Sequence, residues 1–257
     1  MPANLTLSLG TLYAFLLVLT RVGGAVIFVP LPGLQSTPMP ARAAFAMGVT
    51  LALAARWPAI NAASMSAARL VGWCSAEAAS GIAIGVALSL VLETFVLAAQ
   101  VCGLQAGYAY ASTVDPNTQA DSGILLVFAQ LTAGLLFFAV GLDREVLRLF
   151  ALSLDRVPPG AYMLNPAAAQ SLIHLGASLF SVGLRLAFPV VALLVMMDVA
   201  LALLGRVNAQ LQLISLAFPA KMLITLLVLS WIASRLPRMV HEMGGLAINA
   251  SRHMLGI

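Results

Sequence analysis

Charged residues are scarce in this chain of 257 residues: only 9% are Asp, Glu, Lys or Arg, whereas 61% are hydrophobic. An average soluble domain carries about 25% charged residues, so the chain has too few charges to cover a soluble surface of its size. The mean hydropathy of +1.02 agrees. This composition indicates a chain that lies in a bilayer or inside a large assembly.

Runs of basic residues with interleaved aromatics are also missing, although 13 Lys and Arg outnumber 9 Asp and Glu. The charges are scattered singly or in small groups, which gives nucleic-acid binding no support.

The N-terminus lacks the basic segment of a secretory signal, because nothing positive precedes Arg21. We therefore expect the apolar run from Thr11 to Leu31 to be part of the mature fold.

Cysteine is nearly absent, and Cys74 and Cys102 both lie inside apolar stretches with no CxxC motif and no nearby His. We interpret them as small buried hydrophobic residues rather than as a disulfide or metal ligands.

Enzyme motifs are lacking as well: the chain has no HExxH, P-loop, GxGxxG or GxSxG pattern. The segment 120–123, Ala-Asp-Ser-Gly, comes nearest to the GxSG of an intramembrane serine protease, but its first glycine is Ala120. Ser122 stands at the start of a predicted helix, where it is an ordinary cap candidate. We expect a protein that is not an enzyme, with no catalytic residues, no cofactor and no metal site.

Alternating apolar and polar residues are absent, which favours helices over a membrane barrel. The prediction is an all-α, polytopic membrane-associated protein of long packed helical hairpins, organised as a single domain over residues 1–257. The predicted helical stretches are 8–31, 42–56, 67–92, 94–112, 123–150, 168–205 and 211–236, with a tail to Ile257 as a further helix candidate.

The run 67–112 is unusually long and would extend about 69 Å as one helix, roughly twice the hydrocarbon core. It forms either two spans with a tight turn near Glu93 or one bent helix that reaches beyond the bilayer. Periodicity does not separate these alternatives.

Two stripes of small residues occur in this run. Gly81 and Gly85 form a GxxxG motif that Glu77 and Ser89 continue, and Gly103 and Gly107 form the second stripe, between Ala99 and Ala111. Small residues at this spacing let helix backbones approach closely. The stripes predict packing against other helices without identifying them.

Five ionisable residues lie in or beside apolar helices: Glu93, Arg185, Asp198, Arg206 and Lys221. An isolated charge at the centre of a membrane helix costs about 2.5–3.5 kcal/mol on insertion scales, so each should find a partner. They form either a proton or ion pathway or charge pairs that lock helices and subunits together, and we favour the pairs. Asp198 and Arg206 are about 12 Å apart along one helix, so we expect their partners on other helices or other chains.

A polar stretch separates two of the most apolar segments. It consists of Thr113, Val114, Asp115, Pro116, Asn117, Thr118, Gln119, Ala120 and Asp121. Because the residue before a proline is driven out of the helical region, Asp115-Pro116 predicts a turn. The stretch is either a plain surface turn or a functional loop over a pore.

The order of these landmarks resembles the FliR/SctT family of type III secretion export-gate proteins over about residues 5–240. The most specific parts are GLQAGYAYASTVDP at 103–116, ALSLDRVPPG at 151–160 and AFPVVALLVMMDVALALLGR at 187–206. Further landmarks are Arg21-Val22-Gly23, Pro40-Ala41-Arg42, Glu77 with the GxxxG motif, Ser153, Phe218-Pro219 and Lys221. The chain departs from the family pattern at Gly141-Leu142-Asp143 and at Ala209-Gln210-Leu211-Gln212.

The resemblance implies a structural, pore-forming subunit that is similar to a fusion of FliP and FliQ. Such a subunit would complete a FliP/FliQ channel in the bacterial inner membrane, contact FlhB and pass unfolded flagellar proteins outward from the flagellar basal body. It also implies that residues 113–121 form a plug in the pore. The alternatives are an injectisome homologue of the gate and a small-solute transporter with a binding site at a broken helix, for which Pro189 near Arg185 is a candidate.

Overall fold

Helices make up nearly all of the computed structural model, which describes residues 8–29, 37–61, 65–108, 124–162, 166–207 and 213–257. The helices are α1 (Leu9–Phe28), α2 (Met39–Ala52), α3 (Ala67–Ala106), α4 (Ile124–Ala139), α5 (Leu142–Arg156), α6 (Pro166–Val207), α7 (Leu213–Ala233) and α8 (Leu236–Leu255), with a short 3₁₀ helix at Ala54–Arg56. The described residues contain no strand. The all-α, polytopic fold class predicted from the sequence is confirmed.

Local chemistry accounts for where several helices begin. The hydroxyl of Ser8 accepts a hydrogen bond from the backbone N–H of Thr11 at 3.2 Å and so caps α1. The start of α2 carries Pro40 within its first turn, where a missing N–H costs no intrahelical bond. Between α4 and α5, Gly141 takes a φ of +80°, a left-handed conformation that glycine adopts without strain.

The stretches predicted at 67–92 and 94–112 lie in one continuous helix, α3, so the structure selects the single helix over two spans with a turn near Glu93. One boundary prediction needs correction, because the single helix predicted over 123–150 is broken at Gly141 into α4 and α5. The helix candidate in the tail is confirmed as α8, which is amphipathic and buries Met243, Ala247 and Ile248.

The described chain divides into two compact units. Unit 1 comprises Met1–Leu90, Gly141–Gly176 and Met243–Ile257, and unit 2 comprises Val91–Val140 and Ala177–Glu242. The single domain predicted over residues 1–257 stays a prediction.

Each unit has its own apolar core. In unit 1 the fully buried side chains include Leu17 and Val22 of α1, Ile84 and Leu88 of α3, and Leu149 of α5. In unit 2 they include Phe137 of α4 and three residues of α6, Leu179, Val190 and Leu194. Where the helices lie in a bilayer, close packing of these side chains favours their association, rather than transfer out of water.

Three helices of the described residues are long and apolar enough to cross a membrane: Leu9–Phe28, Ala67–Ala106 and Ala168–Arg206. The number rises to five if each of two bent helix pairs, α4 with α5 and α7 with α8, counts as one span.

Candidate functional site

A buried ion pair joins α1 to α3 in unit 1. Arg21 and Glu77 both have side chains that are 0% exposed, and the Arg21 Nε donates a hydrogen bond to the Glu77 Oε2 at 2.5 Å. Two charges removed from water are stable only when their geometry is good and their remaining polar atoms are also hydrogen-bonded.

The remaining polar atoms of this pair are satisfied by two further segments. The Arg21 Nη1 donates to the Ser153 Oγ at 3.1 Å, and its Nη2 donates to the carbonyl oxygen of Val157 at 3.0 Å. The Glu77 Oε1 accepts the backbone N–H of Gly160 at 3.0 Å. We call these five residues the anchor network. It ties α1, α3, α5 and the turn after α5 together through one charge pair.

The turn in the anchor network requires a glycine. Gly160 has a φ of +91°, and a Cβ atom at this position would lie 2.4 Å from the indole ring of Trp73. The turn is closed by a hydrogen bond from the Ala161 N–H to the Pro158 carbonyl at 3.0 Å. The segment Pro158-Pro159-Gly160 therefore presents its N–H to Glu77 in a conformation that a larger residue would strain.

The first stripe of small residues brings α3 against α1. A Cβ atom at Gly81 would lie 2.0 Å from the Arg21 carbonyl oxygen, and one at Gly85 would lie 2.5 Å from the Ala25 carbonyl oxygen. Gly24 of α1 faces Ala78 in the same way, at 2.8 Å. Such close backbone approach is what small residues permit, and it sets the helix separation at which Arg21 reaches Glu77.

Tyr162 follows Gly160 by two residues and is buried. Burial raises the pKa of its phenol above the ordinary value, and the positive charge of Arg21 lowers it in part. Because both the ordinary and the raised value lie well above neutrality, the phenol stays protonated and adds no charge to the network.

A second polar group lies in unit 2. Lys221 of α7 forms an ion pair with Asp198 of α6, and the side-chain amide of Gln105 donates to the Asp198 Oδ2 at 3.3 Å. The Tyr108 hydroxyl donates to the carbonyl oxygen of Met222 at 3.2 Å. We call Gln105, Tyr108, Asp198 and Lys221 the polar cluster. It holds the C-terminal end of α3 to α6 and α7.

The other predicted charges lie outside this cluster. Glu93, Arg185 and Arg206 are exposed, and none forms an ion pair with another residue that the structure describes. Of the five ionisable residues singled out in the sequence, the structure therefore brings together only Asp198 and Lys221.

The second stripe differs from the first. The nearest atom to a Cβ at Gly103 would be in the Leu125 side chain at 3.8 Å, which is ordinary contact. Gly107 has a φ of +84°, and a Cβ there would lie 2.7 Å from the Phe218 ring. Gly107 thus ends α3 in a conformation that favours glycine, rather than permitting close approach of two backbones. The predicted plug, residues 113–121, lies outside the described residues.

Unit 2 also contains an apolar cavity of about 510 Å³, lined by Phe95, Cys102, Tyr108, Leu125, Phe128 and Leu229 among others. Cys102 is a buried free thiol, whereas Cys74 is only half-buried. The buried position predicted for Cys74 is therefore corrected to an intermediate one.

Sequence reasoning missed the pairing of Arg21 with Glu77. The signals were present: Arg21 is the single charge in the first apolar run, and Glu77 continues the four-residue step of Gly81 and Gly85. Opposite charges inside two apolar helices are a reason to expect a pair. Four landmarks of the resemblance, Arg21, Glu77, Ser153 and Gly160, meet in this one network.

Comparison with known proteins gives the family. The model of the family described as "Bacterial export proteins, family 1" matches residues 12–245. This chain belongs to that family. The match spans both units and contains the anchor network and the polar cluster entirely.

Individual relatives agree with this family. The chain is 29% identical to the Flagellar biosynthetic protein FliR of Escherichia coli (strain K12) over 202 residues, which are 78% of this chain and 77% of the relative. It is 27% identical to the Flagellar biosynthetic protein FliR of Caulobacter vibrioides, covering 85% and 87% of the two chains. For the protein of the same name in Bacillus subtilis (strain 168), the identity is 23% over 95% of each chain.

Proposed function

We propose that this protein is a structural, pore-forming subunit of the type III protein export gate of the flagellum, where it completes a channel with FliP and FliQ and contacts FlhB. Its cargo is unfolded flagellar proteins that leave through the inner membrane at the flagellar basal body. The observation that carries the proposal is the family match over residues 12–245 together with relatives that carry the flagellar FliR name.

The surface of the chain supports a role as one subunit among others. Large apolar side chains are exposed along α6, among them Phe188 at 69% and Met196 at 67%, and along α7, where Leu227 is 71% exposed. Only 17% of the apolar window in Ala168–Arg206 is buried within the chain. Apolar surface of this extent needs lipid or protein cover.

The polar cluster supports the place of the proposed plug. Gln105 and Tyr108 hydrogen-bond to Asp198 and to Met222 at the C-terminal end of α3. Tyr108 is followed five residues later by Thr113, where the stretch 113–121 begins. A helix end held by hydrogen bonds that water can replace is a suitable base for a loop that closes a channel and moves aside when cargo arrives.

Complementation tests the function. In a flagellated host that lacks its own FliR, expression of this chain should restore swimming, and the detergent-extracted chain should have the native mass of a large hetero-assembly. A chain that stays monomeric and moves a small solute in liposomes without companion subunits would contradict the proposal and favour the transporter alternative. Restoration of injectisome secretion but not of swimming would favour the injectisome alternative.

Deletion tests the plug. Removing residues 113–121 should leave the assembled gate leaky to ions, measured as membrane conductance in cells that express the variant. A matched control replaces the same nine residues by a Gly/Ser segment of equal length, which should leak less because it still fills the pore entrance. Conductance equal to that of the intact assembly after deletion would show that the segment is a plain surface turn.

A further inference from the structure

We propose that Arg185 is an inter-subunit contact that pairs with a carboxylate on an apolar helix of a neighbouring gate subunit. This inference rests on the proposed function, because it requires a neighbouring subunit. Three observations support it: the surroundings of the guanidinium on α6, the backbone next to it, and the length of the helix that carries it.

Arg185 lies on an exposed apolar face of α6. Phe188, three residues further on and therefore on the same face, is 69% exposed. Met196, eleven residues or about three turns further along this face, is 67% exposed. The Arg185 side chain is itself exposed and makes no ion pair with any residue in the described parts of the chain. A guanidinium without a counter-charge among such residues is unfavourable in lipid.

The backbone at the same position is also short of a partner. Pro189 stands inside α6, four residues after Arg185. Because proline has no N–H, it cannot donate the helical hydrogen bond that the Arg185 carbonyl would otherwise accept. One position of this helix therefore combines a positive charge with a carbonyl oxygen that lacks its usual helical donor. A partner that carries a carboxylate and a polar donor would satisfy both.

The length of α6 indicates that protein, rather than lipid alone, covers this face. The candidate span Ala168–Arg206 has 39 residues and is about 58 Å long, nearly twice the hydrocarbon core of about 30 Å. Exposed large apolar side chains nevertheless run along it from Ile173 to Leu204. A bilayer covers only about half of this length, so other subunits must cover the rest. If the bilayer includes Arg185, the charge needs a counter-charge, which a carboxylate on a neighbouring helix supplies. If the bilayer ends there, the adjacent apolar turns need a protein surface.

Charge complementarity selects the partner. An apolar helix with one Asp or Glu matches both the apolar face and the guanidinium, and a planar guanidinium binds a carboxylate through two parallel hydrogen bonds. The exposed Glu93 of the same unit is the competing partner within this chain, and a lipid phosphate is the competing partner outside proteins.

The test uses the tagged chain purified from a host that assembles the gate, with the amounts of co-purified subunits normalised to the tagged chain. Arg185→Leu should lower co-purification by at least about tenfold, as expected for loss of one side of a desolvated charge pair. Arg238→Leu is the matched control, because Arg238 is an exposed arginine on α8 that already pairs with Glu242 at 2.9 Å. This control should leave co-purification unchanged.

Suppressor selection identifies the partner. Motile revertants of an Arg185→Glu strain should carry an Asp or Glu to Lys or Arg change in an apolar helix of another subunit. Full co-purification with Arg185→Leu would overturn the inference. This holds even if motility falls, because the partner would then be a lipid phosphate. Revertants at Glu93 of this chain would overturn it too. If the unmodified chain co-purifies with no subunit at all, the proposed function itself fails, which is a distinguishable result.

Discussion

The anchor network of unit 1 and the polar cluster of unit 2 use the same chemistry in different environments. Each joins three or more segments through one cation, one carboxylate and a few neutral hydrogen-bonding groups. The Arg21 and Glu77 side chains are 0% exposed, whereas Asp198 is 41% exposed and Lys221 14%. Water can replace a partner of Asp198 but not of Glu77. The difference indicates that the segments joined in unit 1 are held rigidly. In unit 2, where the chain leads into the proposed plug, the contacts between segments can exchange with water.

The largest effect is expected from Glu77→Ala. This change leaves Arg21 buried without a counter-charge and frees the Gly160 N–H, so the free energy of unfolding should fall by about 3–5 kcal/mol. Denaturant titration of the purified chain in detergent micelles, followed by circular dichroism, measures the loss. The double variant Arg21→Met with Glu77→Leu should recover much of it, because an apolar pair of similar volume leaves no buried charge. A double variant as unstable as Glu77→Ala would show that the pair itself is needed.

Gly81→Ala should come next. Its Cβ would lie 2.0 Å from the Arg21 carbonyl oxygen, which forces α1 and α3 apart. Overpacking of this kind costs typically about 1–3 kcal/mol, and it also lengthens the Arg21–Glu77 hydrogen bond. Gly72→Ala on the same helix is the matched control, since a Cβ there meets nothing within 4 Å. The control should be neutral or stabilising by up to about 1 kcal/mol. Equal effects of the two alanines would contradict close packing at Gly81.

The sequence predicts helix content better than helix boundaries, and local pattern explains why. Apolar runs with no alternation indicate helices reliably in a chain of this composition. The continuity of α3 through Glu93 and the break at Gly141 depend on contacts and on one backbone conformation, neither of which periodicity shows. Gly141 stands where an apolar segment meets the charged residues Asp143, Arg144 and Glu145. With no proline beside it, this change of composition does not separate a break from a continuous helix that becomes polar.

The candidate site was predictable only in pieces. The resemblance drew attention to Arg21, Glu77, Ser153 and Gly160, but sequence spacing does not reveal that residues up to 136 positions apart share one guanidinium. The ionisable residues that the sequence places in apolar helices differ in whether they have an ion-pair partner. Lys221 and Asp198 lie together, whereas Arg185 and Arg206 have no ion-pair partner within the described residues. A charge whose partner lies on another chain has no signal in the sequence of one chain.

Lys221→Met should have a smaller effect on stability, about 1 kcal/mol or less, because the half-exposed Asp198 becomes hydrated when its partner is removed. The effect on local motion should be larger: amide hydrogen exchange at the C-terminal turns of α3 should accelerate, since Gln105 is held there through Asp198. Asp198→Lys combined with Lys221→Asp should return exchange to the slow rate. Exchange in α3 that is unaltered by Lys221→Met would show that the cluster does not hold the helix end.

The smallest effect is expected at the surface pair of α5. Arg148 and Glu145 stand three residues apart, and Arg148 is 73% exposed. Exposed pairs of this kind contribute about 0–1 kcal/mol and weaken further in salt. Glu145→Ala should therefore change the free energy of unfolding by less than about 0.5 kcal/mol, with no added effect at high ionic strength. Glu77 and Glu145 both lie on helices of unit 1, and each is paired with an arginine. If Glu145→Ala lowered the free energy of unfolding as much as Glu77→Ala does, burial would not decide how much such a pair contributes to stability.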